Sequence, residues 1–513
     1  MPVALDPNPR PLDHLTEFGE DSAIALQLRS TALSWKDLKS RVGQLASWLQ
    51  TQLGGAEAGQ GARVASWAAK GELTCLLPLA AARAGLVHVP INPLLKRAQV
   101  AHILADSGAQ LLIANAGRIG TLADGDLPAD CRVFEENDAL TRAGGFEPMP
   151  LSSADPQDVA AILYTSGSTG RPKGVVLSHA NMWLGAVSVA HYLGLDADDV
   201  VLGVLPLSFD YGQNQLFSTW RAGGCVVPLD YLTPRDVVRA CERHGITTLA
   251  AVPPLWVQLL GQEWSPAAVA SMRRMTNSGG ALTVDMVRGL RRLFPAARLF
   301  PMYGLTEAFR STFLDPDLVD DHPTSMGRAI PFAEILVIDD HGEPTAAGEE
   351  GELVHCGPLV AQGYWQDPAR SAERFRPAPA SSHYGGMAVW SGDRVIRDAG
   401  DLLYFVGRRD AMIKSAGNRI SPQEVEEVAL ASGLVAEAVA LGVPDERLGQ
   451  AVHLVVRGAG QPDADALAAI LRTELPNFMQ PQVIRWLDTM PINPNGKIDR
   501  TVLLEQAKAG AGQ

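Results

Sequence analysis

The sequence predicts an α/β protein with a large N-terminal body of parallel sheets, a β-rich subdomain within that body, and a small C-terminal α+β domain. Three observations support this fold class. The chain has 513 residues, which is too long for one ordinary hydrophobic core. From about Ala62 onward, short apolar runs alternate with amphipathic stretches, as they do in βα units. From Glu334 onward the pattern changes to strands separated by glycine-rich turns.

The first βα units follow one another closely. Arg63 to Trp67 is predicted as a strand, Glu72 to Arg83 as a helix and Leu86 to Pro90 as a second strand. The same alternation gives a helix near Gln99 to Ala105 and a strand from Gln110 to Ala114. Later apolar runs predict four more strands: Val200 to Leu205, Gly224 to Leu229, Thr247 to Val252 and Arg298 to Met302. Together these runs indicate one large α/β region.

The last third of the chain predicts two further units. Glu334 to Asp339 and Gly351 to His355 are predicted as hairpin strands of a β-rich subdomain that spans about 328–406. The charged segment 407–410 follows an apolar run, so we place a hinge there, between an N-terminal domain (1–406) and a C-terminal domain (411–513). Ser421-Pro-Gln-Glu424 has the pattern of a capping box and predicts the start of a helix.

Charge and cysteine content exclude several classes of protein. The formal net charge of −14 provides no basic field for nucleic acid, so nucleic acid is not an expected partner. The 5 cysteines are scattered without a C-x-x-C pair, which predicts reduced thiols rather than a zinc site or a disulfide framework. No signal peptide and no apolar run of membrane-spanning length are recognised, so we expect a cytoplasmic protein without a membrane span.

The strongest local motif is Tyr164-Thr-Ser-Gly-Ser-Thr-Gly-Arg-Pro-Lys-Gly174, which lies between two apolar runs. Its glycines allow the backbone to fold closely around phosphates, its hydroxyls add donors, and Lys173 adds a positive charge. The spacing is not that of a Walker loop. The motif therefore predicts an anion-binding loop, and the simpler interpretation is a Gly/Ser-rich hairpin turn.

These residues resemble the phosphate-loop signature of the AMP-dependent synthetase and ligase family, whose members form acyl-adenylates. Four later segments are similar to motifs of the same family and occur in the same order, so that the resemblance spans about residues 30–500: Tyr303-Gly-Leu-Thr-Glu307, Trp390-Ser-Gly-Asp393, Gly407-Arg-Arg-Asp410 and Pro494-Asn-Gly-Lys-Ile-Asp499. The resemblance implies ATP and Mg²⁺ as cofactors and a mobile C-terminal domain. It also implies a thiol acceptor, either coenzyme A or the phosphopantetheine arm of a carrier protein.

The resemblance also implies roles for individual residues. It places the ATP phosphates and the adenine against residues of three segments: Thr165, Ser166, Gly167, Ser168, Thr169, Gly170 and Lys173; Gly279, Gly280 and Ala281; Tyr303 and Gly304. Thr306 is expected at the α-phosphate and Glu307 at the magnesium ion, for which a carboxylate oxygen is a suitable ligand. Asp393 is expected to bind the ribose hydroxyls with Arg408 beside it, although both also suit turn or surface positions.

Lys497 corresponds to the family's catalytic lysine. The resemblance implies that its ammonium bridges the substrate carboxylate and the α-phosphate, where a cation offsets the repulsion between two anions. Asp410 corresponds to the hinge about which the C-terminal domain turns, withdrawing Lys497 and bringing the segment Ala416 to Asn418 to the site for thiol transfer.

The substrate acid is less well defined. In amino-acid-activating relatives, a carboxylate at the position of Asp210 binds the α-ammonium of the substrate, and Tyr211, Asn214, Met302 and Arg310 would line the pocket. Asp210 equally suits a helix cap before Tyr211. The surrounding sequence resembles both stand-alone prolyl-carrier-protein ligases and AMP-forming acyl-CoA ligases of the exosortase A system. We therefore expect an acyl-CoA ligase that acts on a small carboxylic acid, and retain as an alternative a proline-like amino acid loaded onto a carrier protein.

Overall fold

The computed structural model of the chain describes residues 3–54, 61–165, 172–408, 413–415, 418–445 and 448–511. Three sheets organise them, with 6, 14 and 5 strands. The two larger sheets form the N-terminal body and the third forms the C-terminal domain, so the predicted α/β architecture is confirmed. Within the described ranges, no helix is long and apolar enough to cross a membrane.

The 6-stranded sheet has the order β6-β5-β3-β4-β7-β8. Its pairs are parallel except for the last, because β7 and β8 form an antiparallel hairpin. The strand predicted at 63–67 and the helix predicted at 72–83 have the expected bounds, and the other predicted elements differ by one or two residues at their ends. This part of the chain contains β1 (Ile24–Gln27), β2 (Ala32–Ser34), α1 (Trp35–Gln52), β3 (Arg63–Trp67), α2 (Glu72–Arg83), β4 (Val87–Pro90), α3 (Arg97–Ser107), β5 (Leu111–Ala114), α4 (Ala116–Ile119), β6 (Arg132–Glu135), α5 (Glu136–Ala143), β7 (Val159–Thr165) and β8 (Lys173–Ser178).

The second α/β unit forms the parallel part of the 14-stranded sheet. Its elements are α6 (His179–Leu193), β9 (Val200–Gly203), α7 (Asp210–Arg221), β10 (Cys225–Pro228), α8 (Pro234–His244), β11 (Thr248–Ala251), α9 (Pro253–Leu260), α10 (Pro266–Ser271), β12 (Arg274–Asn277), α11 (Val284–Leu293) and β13 (Arg298–Tyr303). The strands follow the order β13-β12-β11-β9-β10-β1, and each of these neighbours is parallel. Helices α6 and α7 pack against each other and are buried along nearly their whole length, which is typical of helices in the interior of a large domain.

The β-rich subdomain continues the same sheet in antiparallel fashion. It contains β14 (Thr312–Phe313), β15 (Ser325–Ala329), β16 (Glu334–Ile338), β17 (Glu350–Cys356), α12 (Pro368–Arg374), β18 (Phe375–Pro377), β19 (Met387–Arg397) and β20 (Leu403–Arg408). The predicted hairpin is confirmed as the pair β16 and β17. Gly407 and Arg408, predicted as the start of the hinge, are instead paired with β19, because the ladder continues two residues beyond the apolar run.

The C-terminal domain has a separate core around Val425, Val452 and Leu467. Its elements are β21 (Ile413–Ser415), β22 (Asn418–Ile420), α13 (Pro422–Ala431), β23 (Val435–Asp445), β24 (Gly449–Gly458), α14 (Ala464–Glu474), β25 (Val483–Trp486) and α15 (Arg500–Ala511). Helix α13 begins at Pro422 as predicted, but the predicted capping box is wrong. The Ser421 hydroxyl makes no capping bond and donates to the Val406 carbonyl oxygen at 2.5 Å, across the domain junction.

Candidate active site

The predicted site residues follow neighbouring parallel strands of the 14-stranded sheet. β9 leads to Asp210, β12 leads to Gly279, and β13 leads to Thr306 and Glu307. Strands β9, β11, β12 and β13 are adjacent and parallel, so their carboxyl ends lie along one edge. Ligands of open α/β sheets bind at this edge, in a crevice outside the strand ends.

The predicted phosphate loop connects the two strands of the β7–β8 hairpin. Thr165 and Lys173, the two residues of the motif that end β7 and begin β8, are register partners. The central residues of the loop, Ser166, Gly167, Ser168, Thr169 and Gly170, lie outside the described residues. Lys173 Nζ donates to Glu307 Oε1 at 2.9 Å and to the Tyr364 hydroxyl at 2.6 Å. The structure therefore brings the phosphate-loop lysine and the predicted magnesium ligand together.

Glu307 is a buried carboxylate with an unequal environment at its two oxygens. Lys173 and Tyr364 both donate to Oε1, the latter at 2.7 Å, whereas Oε2 accepts no hydrogen bond from a described residue. Burial raises the pKa of Glu307, but the Lys173 ammonium and the two donors outweigh it, so the pKa lies below its ordinary value. Among the described residues there is no cluster of three or more metal-ligating side chains. A single ionised carboxylate suits Mg²⁺, which in nucleotide sites takes most of its ligands from phosphates and water.

Tyr364 was missed by the sequence analysis. Its hydroxyl connects Lys173 to Glu307, and its ring centre lies 4.1 Å from Lys173 Nζ. The local sequence gives no signal for this role, because an isolated bridge between Val175 and Tyr364 is what brings this segment against β8. Only the tertiary structure identifies it.

Tyr303, Asp393 and Arg408 form a second group. Asp393 and Arg408 face each other on β19 and β20, and Arg408 Nε lies 3.4 Å from Asp393 Oδ1. Tyr303 donates a short hydrogen bond to Asp393 Oδ2. Burial, together with the Asp393 carboxylate, raises the pKa of Tyr303 well above its ordinary value, so the phenol remains a donor. The predicted adenine and ribose residues therefore lie together, and Asp393 is not a surface residue.

Two predicted glycines make room for cationic side chains. Gly279 has φ +81°, and a Cβ atom there would lie 2.5 Å from Lys497 Cε. A Cβ atom at Gly304 would lie 3.1 Å from Arg310 Cα. Between them in the sequence, the Gly280 carbonyl oxygen accepts from Asn277 Nδ2 at 2.8 Å, which fixes the turn that leads to Ala281.

Lys497 belongs to the C-terminal domain and lies beside Gly279 of the N-terminal body. Its loop is closed by Asn493, whose side-chain oxygen accepts from the backbone amides of Asn495 and Lys497 at 3.0 and 3.1 Å. Lys497 Nζ lies 4.8 Å from the centre of the Phe209 ring. Loss of hydration lowers the pKa of Lys497, the Asp210 carboxylate raises it, and Arg310 and Arg408 lower it further, for a net decrease.

Asp210 is the first residue of α7 and does not cap it. Its carboxylate accepts from the Thr306 hydroxyl at 2.9 Å and makes no capping bond to the helix, so the helix-cap interpretation is wrong. Burial raises the pKa of Asp210, and this increase is opposed by Arg310, Thr306 and Lys497. Asp210, Thr306, Arg310 and Lys497 therefore form one electrostatic group.

A cavity extends from this group between α6, α7 and the sheet. Tyr211, Asn214, Met302 and Arg310, the residues predicted for the substrate pocket, all line it. The rest of the wall combines apolar residues with polar ones: Val189, Leu193, Leu195, Val201 and Ala250, and Gln215, Ser218, Thr219, Thr248 and Thr276. Arg310 is 1% exposed, yet its Nε and Nη1 atoms have no hydrogen-bond partner among the described residues. A buried donor without a partner costs roughly 1–3 kcal/mol, so this cavity is adapted to a ligand with polar atoms.

The structure leaves some predicted residues unplaced. Asp410, the predicted hinge, and Ala416 lie outside the described residues, and Asn418 is described only as part of β22.

Comparison with known proteins agrees with this architecture. Residues 15–365 match the AMP-binding enzyme family, and residues 424–497 match the AMP-binding enzyme C-terminal domain. The chain is 32% identical over 487 residues to the feruloyl-CoA synthase of an Amycolatopsis species, covering 93% of this chain and 94% of the relative. It is 30% identical over 518 residues to the L-proline--[L-prolyl-carrier protein] ligase of Pseudomonas fluorescens, covering 97% and 99%.

Solved structures give the same result. The crystal structure of ATP-bound MatB from Rhodopseudomonas palustris superposes with a TM-score of 0.85 at 25% identity, covering 98% of this chain and 99% of that one. The chain also matches much longer peptide synthetases, of which it spans between 5% and 9%. With both matched regions and full-length relatives above 30% identity, the chain belongs to the AMP-binding enzyme family.

Proposed function

We propose that this AMP-forming ligase activates a small carboxylic acid in the cavity beside Asp210 and Arg310, using Lys497 as its catalytic cation, and transfers the acyl group to coenzyme A. The overall reaction class is that of the family: ATP and an acid form an acyl-adenylate and pyrophosphate, and a thiol then accepts the acyl group. The observation that carries the proposal is the position of Lys497, which comes from the C-terminal domain, lies against Gly279 and interacts electrostatically with Asp210, the acceptor of the Thr306 hydroxyl.

In the first half-reaction, a carboxylate oxygen of the acid attacks the α-phosphorus of ATP in line, and the bond to pyrophosphate breaks. In this proposal the Lys497 ammonium contacts both anions and stabilises the negative charge that develops on the α-phosphate. The Thr306 hydroxyl donates to Asp210 Oδ1 at 2.9 Å, and in this proposal it would turn from that carboxylate to donate to the same phosphate. No protein nucleophile is needed.

Magnesium would be held by Glu307 together with nucleotide oxygens and water, and when bound it neutralises phosphate charge. Lys173 and Tyr364 keep the Glu307 carboxylate ionised and in place. Asp393, supported by Tyr303, offers its carboxylate to the ribose hydroxyls. These contacts fix the nucleotide, so that the acid meets the α-phosphorus at a defined distance.

In the second half-reaction, the thiol sulfur attacks the carbonyl carbon of the adenylate, and AMP leaves. Because this proposal places Lys497 at the reacting groups during the first half-reaction, the C-terminal domain would have to turn before the thiol enters. Asp410 is the proposed pivot, and a rotation of this kind needs changes at only a few backbone dihedral angles.

Coenzyme A is favoured as the acceptor by the feruloyl-CoA synthase relative, which matches the chain along 94% of its own length. The prolyl-carrier-protein ligase relative supports the alternative acceptor, a carrier-protein phosphopantetheine.

The test is acid-dependent exchange of labelled pyrophosphate into ATP, followed by assays of acyl transfer to coenzyme A and to a phosphopantetheinylated carrier protein. We expect exchange with a non-amino carboxylic acid, and acyl-coenzyme A as the product. If no acid in a broad panel supports pyrophosphate exchange, adenylate formation is refuted. Acylation of the carrier protein alone would instead replace the proposed acceptor.

A further inference from the structure

Arg310 is a buried cation to which the described residues offer no hydrogen-bond acceptor. Its side chain is almost completely inaccessible, and its guanidinium lies 4.5 Å from the centre of the Tyr211 ring. Neither Nε nor Nη1 has a hydrogen-bond partner in the part of the chain that the structure describes. Since buried arginines are normally paired, these donors indicate an acceptor that belongs to a ligand.

The backbone that positions Arg310 is strained at the preceding residue. Phe309, the preceding residue, has φ +58°, a conformation that side-chain-bearing residues rarely adopt. Its buried ring packs against Gly185, where a Cβ atom would lie 2.2 Å from a ring carbon. On the other side, Gly304 leaves space for the Arg310 backbone and side chain. Strain of this type is typically found at functional sites, and here it turns Arg310 toward the cavity that it lines.

Other unpaired polar groups line the same cavity. Asn214 is 1% exposed, and neither its amide oxygen nor its amide nitrogen has a partner among the described residues. The Thr248 hydroxyl, also buried, is likewise unpaired. Both residues line the cavity together with Arg310. If the carboxyl group of the acid is bound at Lys497, as proposed above, an acid that is hydrocarbon throughout the rest of its structure would leave all of these groups without partners.

The charges around Asp210 argue against an ammonium group in the cavity. Asp210 already interacts with two cations, Arg310 and Lys497. If Asp210 is ionised, an additional ammonium would have to share its carboxylate with a fixed guanidinium; if Asp210 is protonated, it offers no negative charge. In both cases Arg310 occupies the electrostatic role that the α-ammonium of an amino acid would otherwise fill.

We infer that the acid activated here lacks an α-ammonium group and carries an oxygen substituent, such as a hydroxyl, ether or carbonyl group, that accepts hydrogen bonds from Arg310. This inference rests on the proposed adenylate-forming function and specifies its substrate class. Arg310 is thereby a specificity-determining residue, and Asn214 completes the polar part of the pocket.

The experiment is pyrophosphate exchange with pairs of acids that differ only in one oxygen: 4-hydroxycinnamate with cinnamate, 2-hydroxybenzoate with benzoate, and 3-hydroxyoctanoate with octanoate, alongside L-proline and L-alanine. We expect the wild-type kcat/KM for at least one oxygenated acid to exceed that of its partner by about 100-fold or more, because a site built for a hydrogen bond rejects the analogue that lacks it. Both amino acids should be inert.

Arg310→Met keeps the length of the side chain but removes its donors and charge. We expect it to reduce the preference for the oxygenated acid to less than about tenfold, and to leave the ATP-induced thermal shift intact as evidence of folding. Arg288→Met, at an exposed arginine of α11, is the matched control and should retain the wild-type preference.

Failure of the inferred substrate class and failure of the proposed function give different results. If amino acids support exchange and oxygenated acids do not, adenylate formation stands and the substrate class inferred here is refuted. The same conclusion follows if Arg310→Met retains the full preference. If neither group of acids supports exchange in the folded wild-type protein, the proposed function itself fails.

Discussion

Lys497 and Asp210 are coupled through their charges, and this coupling makes the activity depend on pH. In the proposed mechanism Lys497 must be protonated to bridge the substrate carboxylate and the α-phosphate, so we expect activity to be lost as the pH rises through its pKa. Loss of hydration lowers that pKa, and the Asp210 carboxylate partly restores it. The alkaline limb of the kcat/KM profile, which reports the free enzyme, should therefore lie below the ordinary lysine range.

Asp210→Asn tests this coupling. Because it removes the negative charge that raises the pKa of Lys497, we expect the alkaline limb of kcat/KM for pyrophosphate exchange to move to lower pH. In Lys497→Arg, the alkaline limb of any remaining activity should move to higher pH, since a guanidinium does not lose its proton in this range. An alkaline limb that stays in place in Asp210→Asn would show that the two groups are not coupled.

Gly279 gives a second test at the residue scale. Gly279→Ala would place a Cβ atom 2.5 Å from Lys497 Cε and would also impose φ +81° on alanine. We expect a decrease of about 100-fold in adenylate formation, since a displacement of about 1 Å at the reacting centre can have that effect. Pyrophosphate exchange measures this decrease.

Gly194→Ala is the matched control for backbone strain. Gly194 has φ +63°, and a Cβ atom there would meet nothing within 4 Å. Gly194→Ala should lower the free energy of unfolding slightly and leave pyrophosphate exchange near the wild-type rate. If the two alanine variants lose activity equally, strain rather than displacement of Lys497 is the cause.

At the element scale, the loop that follows β4 docks against the loop that carries Lys497. Asn92 Nδ2 donates to the Pro494 carbonyl oxygen at 2.8 Å and to Asn495 Oδ1 at 3.2 Å. Asn92 Oδ1 accepts from the Leu94 amide at 2.9 Å, which orients the side chain. One N-terminal residue therefore holds the C-terminal loop in the position suited to adenylate formation.

Asn92→Asp keeps the acceptor for Leu94 and removes both donors. Since each hydrogen bond contributes about 1 kcal/mol, we expect pyrophosphate exchange to fall by about tenfold or more, and acyl transfer from a supplied adenylate to be unchanged or faster. Asn477→Asp, at an exposed position of the same C-terminal domain, is the control. Equal losses in both half-reactions would indicate a general defect rather than weaker docking.

Elements governed by local sequence were the ones that could be predicted. The local sequence predicts the bounds of β3 and α2, and the apolar runs on either side of the phosphate-loop motif form β7 and β8. Ser421 has the local pattern of a capping residue, but its hydroxyl is used by Val406, which belongs to the other domain. Local sequence contains no information about such a contact.

The same limit applies to the candidate site. Lys173, Glu307, Asp393 and Lys497 belong to motifs that can be recognised in the sequence. Tyr364 and Asn92 have no motif, because their partners lie 57 or more residues away along the chain. The sequence alone does not determine the role of Asp210, because its neighbours Thr306 and Arg310 follow a different strand.

At the scale of the whole molecule, the proposed mechanism uses the observed arrangement of the two domains for adenylate formation. The C-terminal domain has a core of its own, and its Lys497 lies against Gly279 and Phe209 of the N-terminal body. Thiol transfer would require Lys497 to withdraw. The two half-reactions would therefore use two orientations of the same pair of domains.

The measurement that tests this claim most directly compares the two half-reactions in Lys497→Ala. Lys508→Ala, at a partly exposed lysine of α15, is the control. We predict that adenylate formation, followed by pyrophosphate exchange, falls by about 100- to 1,000-fold in Lys497→Ala. Acyl transfer from a chemically prepared adenylate to coenzyme A should stay within about threefold of wild type, because Lys497 is absent from the site in that step. An equal loss of both half-reactions in the folded variant would contradict the account.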